Sequence, residues 1–132
     1  MVTKTIVHFE IPANDIAKMS TFYSVVFGWK FDKAQMSDMD YWMISTGPRG
    51  KSVGGGMYKR TGATDVPRNY INVDKIDKHI EAFKNAGGRE VIAKMEVPKM
   101  GWSFIGADPE GNLIALFETI PAPRRSTKRK KK

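Results

Sequence analysis

The sequence contains no cysteine, so disulfides and thiolate metal sites are excluded, and cysteine usage leaves the redox compartment open. It also lacks any apolar run approaching the ~20 residues of a membrane span. Histidine is scarce: His8 and His79 are the only two in 132 residues. The stretch from Met1 to Ile11 alternates as a strand does and has no apolar core of the kind that directs secretion. A cytoplasmic protein with no membrane partner is the expectation.

Acidic residues are missing from the end of the chain. The nine residues Arg124 to Lys132 hold seven of the 22 basic side chains and no acid. The formal net charge of +8 therefore shrinks to +1 for the body, with 15 basic against 14 acidic residues. That balance argues against a nucleic-acid surface on the fold itself. A block of like charges repels itself and has nothing to bury. Residues 123–132 are thus expected to form a basic disordered tail, either solvated or in weak contact with a polyanion through Arg124 to Lys132. With 41% hydrophobic residues, the remaining 1–122 suffice for one domain with a real core and are too few for two.

What is present is a repeat. Strand-like His8-Phe9-Glu10-Ile11 leads through Asn14-Asp15 into a helical stretch ending at Gly28. Sixty residues later, Arg68-Asn69-Tyr70-Ile71 leads through Asp74-Lys75 into another ending at Gly87-Gly88. Three further strand-like runs follow each helix, near 29–31, 41–46 and 52–58, and then near 90–95, 102–106 and 112–118. Each half reads βαβββ, over about 4–59 and 67–120, and neither half is expected to bury its apolar face alone.

Within the first strand, Val7, Phe9 and Ile11 alternate with His8, Glu10 and Pro12, the period of a strand with one greasy and one polar face. Ile16, Met19, Phe22, Tyr23 and Val26 recur at helical spacing and are expected to lie on the greasy face. The run Gly54-Gly55-Gly56 inside a predicted strand points to a bulge or a close backbone approach. No Lys-Ser or Lys-Thr and no helix start follows it, which disfavours a phosphate loop.

This order of elements resembles the vicinal oxygen chelate superfamily of glyoxalase I, bleomycin resistance proteins, extradiol dioxygenases and methylmalonyl-CoA epimerase. The likeness rests on the first-strand motif, on the block Phe22-Tyr23-Ser24-Val25-Val26-Phe27-Gly28-Trp29, and on Asp108-Pro109-Glu110-Gly111-Asn112 running to Leu116-Phe117-Glu118, and it covers about residues 4–120. It implies an α+β fold in which two tandem βαβββ modules form a curved mixed sheet around a cleft, with helices on the outer face. It also implies a homodimer. Metal enzymes of the superfamily hang ligands from the first and last strand of each module. Carried over by position, those places fall at His8, near Gly55, at Arg68 and at Ala115. Arginine repels a cation, and glycine and alanine have no donor side chain, so neither metal nor cofactor is expected. Glu118 is opposite in phase to Ala115 and needs a bulge near Gly111 to turn inward.

The polar face of the first strands supplies the candidate site. His8 reads as a ligand contact or proton shuttle, or as a histidine satisfied by a neighbour. Glu10, Arg68, Tyr70 and Asn72 share that surface. Arg68 suits an anionic or carboxylate ligand, or an ion pair with Glu10 across the two central strands. Trp102, Phe104 and Met57 alternate in the phase expected to face inward, giving an apolar wall for a flat molecule, or else they fill the core. His79, between Lys78 and Ile80, reads as a surface residue.

The expected function is a metal-free, glyoxalase-like module binding a small anionic or aromatic molecule, with contacts from His8, Glu10, Arg68, Tyr70, Trp102 and Phe104. Two alternatives stand beside it. One is a lyase-, isomerase- or oxygenase-related enzyme, metal-independent or with an atypical metal site at His8, in which His8 acts as general base and Arg68 stabilises negative charge. The other is an accessory scaffold whose basic tail makes the contacts.

Overall fold

The computed structural model describes residues 4–34, 40–63 and 65–120. Ten elements follow the predicted order: β1 Ile6–Ala13, α1 Ile16–Phe27, β2 Lys30–Lys33, β3 Tyr41–Ser45 and β4 Gly55–Lys59, then β5 Arg68–Asn72, α2 Ile76–Asn85, β6 Arg89–Val97, β7 Gly101–Ala107 and β8 Leu113–Thr119. All eight strands form one mixed sheet in the order β2-β3-β4-β1-β5-β8-β7-β6. The two halves therefore share one internal order, with β1 parallel to β4 and β5 parallel to β8. They meet where β1 runs antiparallel to β5. The basic tail lies outside the described residues.

Local chemistry sets the helix ends. The Asp15 carboxylate accepts the Lys18 amide at 3.0 Å and starts α1. Gly28, at φ 75°, donates its N–H to Ser24 O at 2.8 Å and stops it in a conformation that a side chain disfavours. In α2 the cap residue Lys75 makes no side-chain hydrogen bond. Instead Glu118 Oε1 of β8 accepts the Ile76 amide at 3.0 Å, so this acid is turned towards the helix and satisfies its first turn. Gly88 N–H to Phe83 O at 2.9 Å and Gly87 N–H to Lys84 O at 3.1 Å close the far end of α2 as a Schellman motif.

Both helices cover one face of the sheet. Under α1, buried Ala13, Ile44 and Met57 pack with Phe9, Ile11, Ile16, Met19 and Tyr23. Under α2, Val73, Ile76, Phe104 and Leu116 pack with Ile71, Ile80, Phe83, Trp102 and Ile114. One expectation is corrected here. Phe22 and Val26 face solvent together with Val25 and Phe27, because α1 meets the sheet along the narrower stripe Ile16-Met19-Tyr23. Tyr23 extends that stripe by stacking on Trp29 at 5.2 Å.

The helix-free face carries β1 positions His8 and Glu10, and paired residues across the strands share their side. Glu10 pairs with Gly56 and Arg68, His8 with Tyr70, and Tyr70 in turn with Ala115. Ala115 pairs with Ile105, and Phe117 with Ser103. Ala115, Ile105 and Ser103 are buried although neither described helix covers them, so the sheet curls over this face.

Candidate functional site

Glu10 is the hub of the helix-free face. Its Oε1 accepts a hydrogen bond from the Tyr70 hydroxyl at 2.9 Å and pairs with Arg68 Nη2 at 3.1 Å, while its Oε2 accepts from the Tyr41 hydroxyl at 2.8 Å. Both charged side chains are only 12% exposed, which makes this a charge pair of the interior rather than of the surface. His8 Nε2 lies 2.8 Å from the same Tyr41 hydroxyl, and its ring meets Tyr70 edge-on at 5.5 Å. Arg68 stands over the Tyr58 ring at 5.4 Å.

These six side chains come from four strands, β1, β3, β4 and β5, because alternate residues of each strand share one face of the sheet. Tyr41 of β3 pairs with Tyr58 of β4, and Met43 with Gly56. The place on β4 beside Glu10 is therefore Gly56 rather than Gly55. Gly55 faces the other side, against the Phe9 ring. A Cβ built on Gly56 overlaps the Tyr41 hydroxyl and Cζ and comes 2.7 Å from Cε2. The glycine is thus the cradle that admits the phenol between His8 and Glu10, a close approach of the kind glycine permits inside a strand.

The electrostatics follow from this packing. Burial lowers the pKa of His8 and outweighs the opposing pull of the Glu10 charge, so the imidazole is neutral at neutral pH. Burial, then the Glu10 charge, drives the Tyr41 and Tyr70 hydroxyls upward, which keeps both phenols protonated as donors. Burial also raises Tyr58. Its hydroxyl and Arg68 Nε are buried without a partner among the described residues.

Of the residues predicted from sequence, His8, Glu10, Arg68 and Tyr70 come together, and Arg68 is taken up by the ion pair with Glu10. Trp102 and Phe104 do not join them, which corrects their predicted inward phase. Phe104 is 1% exposed and meets Phe83 of α2 at 5.7 Å. Trp102 lies under Lys94 Nζ at 4.5 Å, and Lys94 is bonded to Asp77 of α2 at 2.9 Å. Met57 likewise belongs to the helix-side core. The cause is register: Phe104 pairs with Leu116, whereas Ile105 pairs with Ala115 on the face of Tyr70. Tyr41, Tyr58 and Gly56 are the members that the sequence reading missed, and the triple glycine was their one visible trace. An open depression of about 610 Å³ lies elsewhere, at the start of α1, lined by residues that include Asn14, Asp15, Trp42 and Lys59.

Paired βαβββ modules sharing one curled sheet, with polar side chains gathered on the helix-free face, define a paired-module fold. Residues 5–47 match the family model described as bleomycin resistance protein-like N-terminal. A glyoxylase-like domain-containing protein of Didymella fabae is 30% identical over 116 residues, covering 81% of this chain and 88% of that one. The chain therefore belongs to the glyoxalase-like, or vicinal oxygen chelate, superfamily. Methylmalonyl-CoA epimerase from Mycobacterium tuberculosis superposes with a TM-score of 0.67 at 17% identity, over 95% of this chain and 92% of that one. A glyoxalase/bleomycin resistance protein/dioxygenase superfamily member from Vibrio splendidus gives 0.63 at 15% identity, over 88% and 99%. At such identities the likeness is one of fold.

The residues at the superfamily's metal positions do not fit a cation. Carried over from the resemblance, with Gly56 in place of Gly55 after strand pairing, they are His8, Gly56, Arg68 and Ala115: only His8 has a donor side chain, and the guanidinium adds a fixed positive charge. Glu10 already accepts from two phenols and is paired with the Arg68 guanidinium. Among the described residues no group of three or more His, Asp or Glu side chains is placed to hold a metal ion. No described helix is long and apolar enough to cross a membrane.

Proposed function

We propose that this chain binds a small organic molecule on the helix-free face and does so without the superfamily's metal. The observation that carries the reading is Tyr41: its hydroxyl fills the space over Gly56 where a ligand side chain of β4 would stand, and it ties His8 to Glu10. Apolar side chains lie on the same face of the sheet as this polar hub. Met43 pairs with Gly56, Ile92 with Ile105 and Met95 with Ser103, so all three share the face, and they are 42%, 42% and 51% exposed. An apolar lining around a few convergent polar groups is the usual composition of a small-molecule site. Homodimerisation belongs to the same reading and rests on the resemblance.

A second reading is favoured by His8 itself. A neutral imidazole held through a phenol by a carboxylate is arranged as a general base, which makes a metal-independent enzyme the alternative. Elemental analysis and native mass spectrometry of protein purified without chelator test the first reading. The expected result is no stoichiometric transition metal and a small organic molecule released on denaturation. One metal per chain, lost on His8→Ala, would overturn it. Turnover of a released molecule that disappears in His8→Ala while its binding persists would favour the enzyme.

A further inference from the structure

The hydrogen bonds around Tyr41 fix more than its position. A phenol has one proton, and the Tyr41 proton goes to the Glu10 carboxylate. The 2.8 Å contact between Tyr41 and His8 must then be made with a proton on His8 Nε2. A neutral imidazole carries only one N–H, so Nδ1 is left as an acceptor, and among the described residues it has no hydrogen-bond partner. The charge count points the same way: Arg68 and Glu10 cancel and His8 is neutral, so the hub has no net charge to attract an anion. The two unpaired polar groups, Tyr58 Oη and Arg68 Nε, are sealed from solvent and so unavailable to a molecule on this face.

We infer that the site selects a neutral molecule with an apolar body and an O–H or N–H group donated to His8 Nδ1, with Tyr41 as the positioning residue that holds the tautomer. This rests on the small-molecule reading above and replaces the anionic ligand that the sequence suggested for Arg68. An anion here would lose its hydration while the cation of the hub, Arg68, is already paired with Glu10, and the acceptor nitrogen would repel it.

Three probes of similar shape separate the possibilities: phenol, anisole and benzoate, titrated at millimolar concentration against the full chain labelled with ¹⁵N at histidine. Free protein should show His8 as the Nε2–H tautomer. Phenol should bind about threefold to tenfold more tightly than anisole, the worth of one net hydrogen bond, and should shift the Nδ1 resonance. Benzoate should bind at least about tenfold more weakly than phenol. In Tyr41→Phe, which keeps the ring, the tautomer should become mixed and the preference for phenol over anisole should fall to about one. Benzoate equal to phenol, or anisole equal to phenol, overturns the inference while leaving small-molecule binding intact. A proton on Nδ1 in the free protein overturns it without reference to any ligand. If none of the three binds while the tautomer is as expected, the binding reading fails and the ligand preference falls with it.

Discussion

Replacing Gly56 by alanine probes the centre of the site with one methyl group. The added Cβ falls inside the Tyr41 hydroxyl and Cζ, and β4 lies between two strands, so the backbone cannot retreat. Tyr41 must leave, and two hydrogen bonds leave with it. The one to the charged Glu10 is worth about 1.5–3 kcal/mol and the one to His8 about 0.5–1.5 kcal/mol. Against this, alanine in a strand regains about 0.5–1 kcal/mol over glycine. The net loss is about 1–4 kcal/mol, a fall in Tm of about 4–16 °C for a chain of this size. Chemical denaturation of Gly56→Ala in the native background and in Tyr41→Leu isolates the cause. With the phenol gone, the same substitution should be neutral or stabilising, giving a coupling of about 1.5 kcal/mol or more. An equal loss in both backgrounds would refute the argument that the glycine exists to admit Tyr41.

Two further outcomes follow from the same hub. Glu10→Gln leaves the Arg68 guanidinium without its counter-charge in a poorly hydrated place and should destabilise by about 3 kcal/mol or more. The double replacement Glu10→Met with Arg68→Leu should recover much of that, as measured by urea unfolding. Because the folded pKa of His8 lies below its ordinary 6.5, the unfolded chain takes up a proton that the folded chain refuses. Its contribution is complete above pH 6.5 and fades as the pH drops beneath that value, so Tm should fall between about pH 7.5 and about pH 5.5, and less so in His8→Gln. Equal slopes in the two proteins would contradict the placement of His8. The depressed aspartates Asp65 and Asp108 act in a lower window, under their ordinary 3.8.

The first strand was readable because its two faces differ. Val7, Phe9 and Ile11 alternate with His8, Glu10 and Pro12, and Phe9 and Ile11 pack into the core under α1 while Val7, near the strand's start, stays exposed. The seventh strand was not, because Gly101 to Ala107 is covered on both sides and apolar residues occupy both phases. Alternation reports a period there but no phase, and Trp102 and Phe104 were assigned to the wrong side. The slip at Gly55 has a different origin. A constant offset of 60 equates Ala115 with Gly55, yet strand pairing places Gly56 beside Glu10 and Ala115 beside Tyr70, so the first half holds one extra residue between its paired strands. Tyr41 and Tyr58 depend on pairing between β3 and β4, which local pattern does not encode.

The seam between the halves has a consequence for how the molecule is assembled. Positions 8 and 68 correspond, as do 10 and 70, and across β1 and β5 each is set against the other's partner. Only one of the two crossings is an acid with a base. Two copies of the second half would bring Arg68 to Tyr70 twice with no carboxylate between them, so the junction is not self-complementary. Covalent tandem linkage keeps the unlike half at high local concentration, which favours the crossing of Glu10 with Arg68 during folding.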